Sequence, residues 1–217
     1  MILSNLLSAA DMETIRGALV SAQFSDGKQT ATWYGRSVKE NEQLIEDDPK
    51  VHRPSELIIS RLFANKTFQS EVFPKGRPRL MFNRYLPGMH YGLHTDGPMA
   101  GAMRKDVSFT IFLTEPSAYE GGSLTLHLPY GKQSFKLDAG SAVVYPADTL
   151  HCVEMVTAGT RLAAVGWVQS QVRRFDQREI LLDIDTARNE VFSQSGKTPE
   201  FDLLCKAYCN LIRMWGE

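Results

Sequence analysis

Short apolar segments dominate the middle of the chain, whereas helical spacing of apolar residues is confined to its two ends. Between residues 79 and 170, short stretches rich in β-branched and aromatic residues are separated by Gly, Pro and Asp turns. Strands of this length and spacing predict an all-β sandwich or jelly roll. The predicted strands are RLMFNRYL, VSFTIFL, SLTLHLP, QSFKLD, SAVVYP, CVEMVT and LAAVGWVQS.

Helices are predicted before this β region. Ser8 and Asp11 form a capping-box pattern, and apolar residues follow them at helical spacing. Residues 54–65 begin with Pro, Ser and Glu, an order typical of a helix N-terminus. We therefore expect two helices to precede the strands and to pack on them.

The C-terminal segment is more charged than the strands before it. Residues 171–192 predict one more strand and a helix, and Thr198 followed by Pro199 predicts the start of a last helix. One stripe of that helix is apolar, formed by Leu204, Tyr208, Leu211 and Trp215. The predicted fold is therefore mainly β with flanking helices (α+β). It comprises a jelly-roll domain with N-terminal helices (1–170, motif core about 79–170) and a small C-terminal helical domain (171–217).

Composition narrows the class of protein further. The chain has 217 residues, of which 43% are hydrophobic and 23% charged, and its net charge is −1. These values are typical of a globular protein with one sizeable core, and the absence of a basic cluster argues against nucleic-acid or membrane-surface partners. No apolar run reaches the ~18 residues of a membrane span. The N-terminal stretch contains acidic residues and lacks the basic segment of a signal peptide. The three cysteines have no familiar metal-binding spacing. Both features favour a cytoplasmic protein with reduced thiols.

Three residues predict a metal site. His94 and Asp96 are two positions apart, so both project from the same face at the end of a strand. His151 lies 55 residues after Asp96, within reach across a sandwich. Two imidazoles and one carboxylate with open positions are typical of non-haem iron(II) oxygenases. Zinc accepts the same ligand types, so the ligands alone do not select the metal.

Two further residues suggest a cosubstrate. Arg161 follows His151 by ten positions within an apolar strand. A buried guanidinium there needs an anionic partner, which a dicarboxylate would supply. Tyr85 begins the pattern Tyr-x-x-Gly-x-x-Tyr-x-x-His-x-Asp. Its side chain is either a core tyrosine or a phenol that donates to the same carboxylate.

These motifs together resemble the iron(II)/2-oxoglutarate dioxygenases of the prolyl 4-hydroxylase type, and most closely the bacterial PKHD-type (PiuC-like) hydroxylases. The segment RREILLDIDTA with the helical tail also resembles the extra C-terminal domain of that group. The residues that carry the resemblance are Tyr85, Gly88, Tyr91, His94, Asp96, the segment EGGSLTL, His151 and Arg161. The resemblance implies a double-stranded β-helix, Fe(2+) bound by His94, Asp96 and His151, and 2-oxoglutarate bound by Arg161.

The resemblance also implies an activity. Such an oxidoreductase uses O2 and 2-oxoglutarate to hydroxylate an aliphatic C–H, with succinate and CO2 as coproducts, and L-ascorbate (vitamin C) often keeps the iron reduced. The substrate stays open between a peptide or protein residue and a siderophore-related small molecule. Nucleic-acid dealkylases of this superfamily carry a second arginine where this chain has Trp167. The last helix is a candidate contact for a homo-oligomer.

Two other readings use the same ligands. One is a metal-dependent hydrolase or isomerase on a cupin-like barrel, and the other is a non-enzymatic metal-sensing or small-molecule-binding β-barrel. Neither explains a buried cation at Arg161.

The spacing around Arg161 makes a geometric prediction. A flat hairpin turning at Ala158 and Gly159 would place Arg161 opposite Val156, roughly 17 Å from His151. Such a separation is too long for a five-carbon diacid to bridge the metal and the guanidinium. We therefore expect the chain to cross between the two sheets near 157–160, with Arg161 in the barrel interior.

Overall fold

The structure, a computed structural model, describes residues 1–45 and 49–217. Short 3₁₀ helices lie in several connections. The α-helices are α1 (Ala9–Val20), α2 (His52–Ala64), α3 (Lys66–Val72), α4 (Phe175–Ser195) and α5 (Pro199–Trp215). The strands are β1 (Ile2–Leu3), β2 (Ser25–Asp26), β3 (Lys39–Glu40), β4 (Glu42–Ile45), β5 (Pro74–Tyr85), β6 (His90–His94), β7 (Met99–Ala100), β8 (Met103–Arg104), β9 (Val107–Phe112), β10 (Tyr119–Gly121), β11 (Leu124–Leu128), β12 (Gly131–Phe135), β13 (Ala142–Pro146), β14 (Leu150–Val153), β15 (Val156–Gly159) and β16 (Arg161–Ser170).

Two antiparallel sheets form the body of the protein. The larger sheet has the order β1-β13-β9-β16-β5-β4-β2, and the smaller one has the order β12-β11-β14-β6-β3. Two short ribbons, β10-β15 and β7-β8, complete the strands of the described residues. Apart from the β11-β12 hairpin, most neighbours in the two sheets are not consecutive in sequence, as in a jelly roll. The predicted fold class is confirmed.

The larger sheet presents two different faces because side chains alternate along a strand. On β16, Leu162, Ala164 and Val168 join the core formed with α1, α2 and α3. The intervening residues Val165 and Trp167 face the smaller sheet and line a cavity. The helices thus cover one face, and the functional groups are left on the other.

The crossing between the sheets lies where the geometry requires it. The predicted strand CVEMVT divides into β14, which belongs to the smaller sheet, and β15, which pairs with β10. The chain then enters the larger sheet as β16, with Arg161 opposite Tyr85 of β5. The predicted crossing near 157–160 is confirmed, and a flat hairpin is excluded.

The N-terminal helices agree with the sequence in their main features. Ser8 caps α1, since its Oγ accepts from the Asp11 N–H at 3.2 Å and the Asp11 carboxylate accepts from the Ser8 N–H at 2.9 Å. Helix α2 begins at His52, two residues before the predicted start, so Pro54 lies in its first turn, where its missing N–H breaks no helical hydrogen bond. The short helix α3 was not predicted.

The C-terminal segment differs from the prediction in one respect. The strand expected within 171–192 is wrong, because in this fully described stretch Val172 forms only an isolated bridge with Gly216 and α4 follows directly. Helix α5 begins as predicted, with the Thr198 hydroxyl accepting from the Phe201 N–H at 3.3 Å. None of its side chains is fully buried; its apolar stripe is half-buried.

Side-chain contacts join α4 to α5 and join the C-terminal segment to the β region. The Arg188 guanidinium lies 4.0 Å from the Tyr208 ring centroid. Arg104 at the end of β8 donates to Asp106 Oδ1 at 2.8 Å and to Glu217 Oε2 at 2.6 Å. Among the described residues, no helix combines the length and apolar character needed to cross a membrane.

Candidate active site

The two predicted histidine ligands lie on neighbouring strands of the smaller sheet. His94 ends β6 and His151 lies on β14, and the two residues are direct cross-strand partners with ring centroids 4.2 Å apart. Asp96 follows two residues after the end of β6, in the loop rather than in the strand. One ligand atom from each of the three residues lies within 4.8 Å of the others. The structure therefore brings the three residues together in a cluster that could hold a metal ion.

Hydrogen bonds fix the orientation of this triad. His94 Nδ1 lies 2.8 Å from the Gly92 carbonyl oxygen, and His151 Nδ1 lies 2.9 Å from that of Thr149. A carbonyl only accepts, so each Nδ1 carries the proton and each Nε2 keeps a lone pair for a metal. The Ser108 hydroxyl of β9 donates to Asp96 Oδ2 at 2.7 Å. The larger sheet therefore holds the carboxylate that the smaller sheet's histidines face.

The electrostatics of the triad suit metal binding. Burial, reinforced by the charge of neighbouring His151, lowers the pKa of His94 to about 4. The His94 imidazole is therefore neutral near pH 7, which is the form that binds a metal. The Tyr91 ring stacks on it with centroids 3.5 Å apart and restricts its rotation.

Arg161 lies inside the barrel. Its side chain is 1% exposed, and it lines the same cavity as the triad. The three guanidinium nitrogens are buried without a hydrogen-bond partner among the described residues. Its guanidinium carbon lies 5.1 Å from the Tyr85 ring centroid and 5.5 Å from that of Phe112. A buried cation among aromatic rings is strongly destabilising without an anion, so the residues fit a bound carboxylate.

Tyr85 is the cross-strand partner of Arg161 and is 1% exposed. Burial raises the pKa of Tyr85, although the Arg161 charge opposes that shift. The phenol therefore keeps its proton and is able to donate a hydrogen bond. The structure thus places both predicted cosubstrate residues side by side in the lining of the cavity.

A glycine pair lies beside Arg161. Gly121 and Gly122 have φ values of 68° and 65°, in the left-handed region that favours glycine. A Cβ on Gly122 would lie 3.0 Å from Arg161 Cδ and 3.1 Å from Tyr119 Cε2. The pair in EGGSLTL therefore allows the backbone to pack against the arginine stem.

The cavity between the sheets has a volume of about 330 Å³. Besides the triad and Arg161, it is lined by Lys39, Lys105 and Trp167. Burial lowers the pKa of Lys39 to about 8, although the Asp96 charge opposes that shift, and burial also lowers the pKa of Lys105.

Sequence reasoning did not find Ser108, Lys39 or Lys105. Ser108 follows Val107 at the start of VSFTIFL, and the alternation of that strand was the available signal. Lys39 belongs to the two-residue strand β3, whose pairing with β6 has no local sequence signal.

Comparisons with known proteins agree with this geometry. The sequence model of the 2OG-Fe(II) oxygenase superfamily matches residues 80–169, and that of the PKHD-type hydroxylase C-terminal domain matches residues 176–217. A PKHD-type hydroxylase of Picosynechococcus sp. is 50% identical over 212 residues, which cover 98% of this chain and 97% of the relative. The chain belongs to the PKHD-type hydroxylases.

Solved structures of other oxygenases share the fold. A prolyl hydroxylase of Trichoplax adhaerens, in complex with a hypoxia inducible factor peptide fragment, is 16% identical with a TM-score of 0.56, covering 83% of this chain and 86% of that one. HygX of Streptomyces hygroscopicus, with nickel, 2-oxoglutarate and hygromycin B bound, is 12% identical with a TM-score of 0.58, covering 78% and 82%. At these identities the likeness shows the jelly-roll fold alone.

Family membership settles the reaction class. The PKHD-type hydroxylase is a 2-oxoglutarate-dependent dioxygenase that uses iron(II), 2-oxoglutarate and O2. This assignment sets aside the cupin-like hydrolase or isomerase and the non-enzymatic β-barrel.

Proposed function

We propose that His94, Asp96 and His151 bind the iron, and that Arg161 binds the far carboxylate of 2-oxoglutarate. The observation that carries this assignment is the fully buried Arg161 guanidinium, which has no hydrogen-bond partner among the described residues and lines the same cavity as the triad. Tyr85 keeps its phenolic proton and donates a hydrogen bond to the same carboxylate. When bound, iron and 2-oxoglutarate supply the oxidative chemistry that hydroxylates an aliphatic C–H with O2 and releases succinate and CO2.

The protein's own residues have positioning roles in this scheme. Arg161 offers a planar fork that orients a carboxylate as well as attracting it. Ser108 fixes the Asp96 carboxylate, and the Gly92 and Thr149 carbonyls fix the imidazoles. Because the surrounding residues exclude water, these hydrogen bonds act in a region of low dielectric constant, where they are stronger than in solution.

The substrate is either a peptide or protein residue or a siderophore-related small molecule. Proteins of the same fold support a peptide and a small molecule alike, since one binds a hypoxia inducible factor peptide fragment and another binds hygromycin B. Ascorbate as the reductant that maintains iron(II) is part of the same proposal.

Three broader features belong to the proposal as well. The division into a jelly-roll domain (1–170) and a C-terminal helical domain (171–217) is supported by separate matches to residues 80–169 and 176–217. Contact between copies through α5 is supported by Leu203 and Met214, which are 65% and 72% exposed. A cytoplasmic location rests on the sequence features given above.

Substitution Arg161→Gln tests the assignment. It should weaken 2-oxoglutarate binding to the iron-loaded protein by ~2–5 kcal/mol, as expected for a buried charged pair that loses one partner. Iron stoichiometry should hardly change, because Arg161 is not a proposed ligand. Calorimetric titration of 2-oxoglutarate under argon measures the first quantity, and metal analysis measures the second.

The matched control is Arg173→Gln, since Arg173 is exposed. It should leave both quantities unaltered. Unchanged 2-oxoglutarate affinity in Arg161→Gln would overturn the cosubstrate role of Arg161.

A further inference from the structure

The cavity is lined by more positive than negative charge. Its cationic side chains are Lys39, Arg79, Lys105 and Arg161, whereas Asp96 is the one carboxylate that lines it in the described part of the chain. Arg161 is assigned to 2-oxoglutarate, so this inference rests on the proposed function. The two lysines have no role in that assignment, and their surroundings indicate what they bind.

Lys39 is buried beside the triad. Lys39 is 4% exposed. Its Nζ donates to Gln43 Oε1 at 3.0 Å and to Thr30 Oγ1 at 3.3 Å. Nζ also lies 5.1 Å from the centroid of the Tyr91 ring, which stacks on His94. All these partners are neutral. Within residues 1–45 and 49–217, Lys39 forms no ion pair, although an ammonium has three protons to donate.

Lys105 follows Asp96 by nine positions in the sequence, and its side chain is half-buried. Its Nζ lies 3.7 Å from the centroid of the Trp167 ring. A cation over an indole face is stabilised by the ring, but the ring does not neutralise its charge. Lys105 likewise has no ion-pair partner among the residues that the structure describes, so both ammonium groups face the cavity without an acid of their own.

Asp96 does not neutralise these lysines in the loaded enzyme. Its carboxylate acts on both ammonium groups, but it is a proposed iron ligand. The formal charges of iron(II), Asp96, the 2-oxoglutarate dianion and Arg161 cancel. Lys39 and Lys105 therefore keep an excess positive charge beside the metal. Buried charges without partners are costly, so an anion from outside the chain is the expected partner.

We propose that the substrate of this hydroxylase carries a carboxylate, which Lys39 and Lys105 hold while an apolar part packs on Trp167. The cavity of about 330 Å³ is near the lower end for ligand pockets, and 2-oxoglutarate takes a share of it. The remaining space admits a group of amino-acid size. The carboxylate belongs either to a small free acid or to an acidic residue of a peptide.

Binding of matched acids and amides tests this proposal without turnover. The protein is loaded with Mn(II), which occupies the metal site without supporting the reaction, and with 2-oxoglutarate. The probes are N-acetylglutamate methylamide, N-acetylglutamine methylamide and N-acetylglutamine with a free α-carboxylate. Each is titrated by calorimetry. We expect an acid to bind about 10- to 100-fold tighter than the neutral diamide, the range for a charge-assisted hydrogen bond.

The pattern among the acids identifies the source of the carboxylate. Preference for the side-chain acid indicates an acidic residue of a peptide, and preference for the free α-carboxylate indicates a small free acid. If neither acid binds more tightly than the neutral diamide, the proposal is overturned.

Lysine variants assign the preference to these side chains. Lys105→Gln should reduce the preference for acids by about 10-fold or more, whereas Lys105→Arg should retain most of it. Lys132→Gln, at an exposed lysine, is the control and should retain all of it. Lys39→Met tests the second lysine and should likewise reduce the preference for acids. Circular dichroism checks that this variant is folded.

The affinity for 2-oxoglutarate separates this proposal from the function on which it rests. Both lysine variants should bind 2-oxoglutarate as the native protein does. Loss of 2-oxoglutarate affinity with an intact acid preference would assign the lysines to the cosubstrate and overturn the proposal. A native protein that binds no 2-oxoglutarate would instead refute the proposed function.

A substrate-free measurement checks the same charge. In a Trp33→Phe, Trp215→Phe background, Trp167 is the one tryptophan left of the three in the chain. The ratio of iodide quenching to caesium quenching should be higher for Trp167, in the protein loaded with Mn(II) and 2-oxoglutarate, than for the neutral reference N-acetyltryptophanamide, and Lys105→Gln should lower that ratio. A ratio in the native loaded site no higher than that of the reference would contradict the excess positive charge.

Discussion

The two faces of the larger sheet are built from alternate residues of the same strands, yet they differ in what their side chains contact. On the helix-covered face, Phe82, Ile111 and Ala164 are 0% exposed and pack against apolar helix residues. On the cavity face, Asn83 Oδ1 and the Arg161 nitrogens are buried without partners in the described protein. The first face is filled by the chain itself, whereas the second needs ligands to satisfy its polar groups.

This difference separates stability from binding along a single strand. Ala164 of β16 contributes to the core, while Arg161 and Trp167 of the same strand line the cavity. Substitutions on the helix-covered face should lower the free energy of unfolding. Substitutions on the cavity face should instead change ligand affinity and leave the fold intact.

The largest effect on the cavity face is expected for Asp96→Ala. Iron uptake, measured by metal analysis, should fall from about one ion per chain to almost none, because two imidazoles alone form a weak site. Thermal unfolding of the metal-free protein should be nearly unaltered. Asp183→Ala, at an exposed residue of α4, is the control. Full iron occupancy in Asp96→Ala would exclude Asp96 as a ligand.

On the helix-covered face, Phe82→Ala should lower the free energy of unfolding by about 3–5 kcal/mol, because it leaves a cavity in a fully buried site. Urea denaturation measures the loss. The folded variant should still bind one iron, since Phe82 does not line the cavity. A loss below about 1 kcal/mol would show that the helices repack over the sheet and would weaken the contrast between its faces.

A smaller effect is expected for Ser108→Ala, which removes the hydrogen bond to Asp96 Oδ2. Loss of such a support to a metal ligand lowers metal affinity by about 10- to 100-fold. Competition with a chelator measures the change, with Ser193→Ala on the exposed side of α4 as the control. Unaltered affinity would show that the carboxylate is held by the metal alone.

The smallest effect concerns pH and lies outside both faces. The hydrogen bond from Arg61 is the main cause that lowers the pKa of Asp11 from 3.8 to about 2. Because the folded pKa lies below the unfolded one, this stabilisation is present above about pH 4 and is lost as the pH falls toward 2. Water screens the half-exposed Arg61, so this contribution to the free energy of unfolding is small.

Denaturation at several pH values should therefore show a shallower loss between pH 4 and pH 2 in Asp11→Asn than in the native protein. Asp183→Asn should keep the native slope. Identical slopes in Asp11→Asn and the native protein would show that the Asp11–Arg61 pair does not contribute to acid sensitivity.

Much of the site was predictable because its signals are local or follow from reach. His94 and Asp96 are neighbours in sequence, and Arg161 is conspicuous in an apolar strand. The distance from His151 then required the chain to cross between the sheets. Ser108 and Lys39, by contrast, reach the site through pairings between distant strands, which no local pattern specifies.

The strand wrongly expected within 171–192 has a related cause. The stretch REILLDI contains enough consecutive apolar residues to suit either a strand or a helix. Its position against α3 and α5 decides the matter, because Arg178 and Leu181 of α4 are buried on one helical face while their sequence neighbours are exposed or half-buried. The packing of α4 on α3 joins elements more than 100 residues apart in the chain.

Arg104 contacts Asp106 in the β region and Glu217 beyond α5, and it ends the ribbon whose residues Met99 and Ala100 line the cavity. If a ligand restricts the motion of this ribbon, it also restricts Arg104 and, through Glu217, stabilises the packing of the C-terminal helices. In that case the packing of those helices raises the affinity for that ligand by the same factor, by thermodynamic linkage. Amide hydrogen exchange near Gly216 should accordingly slow when the distant cavity fills, which makes the helical segment a reporter of occupancy.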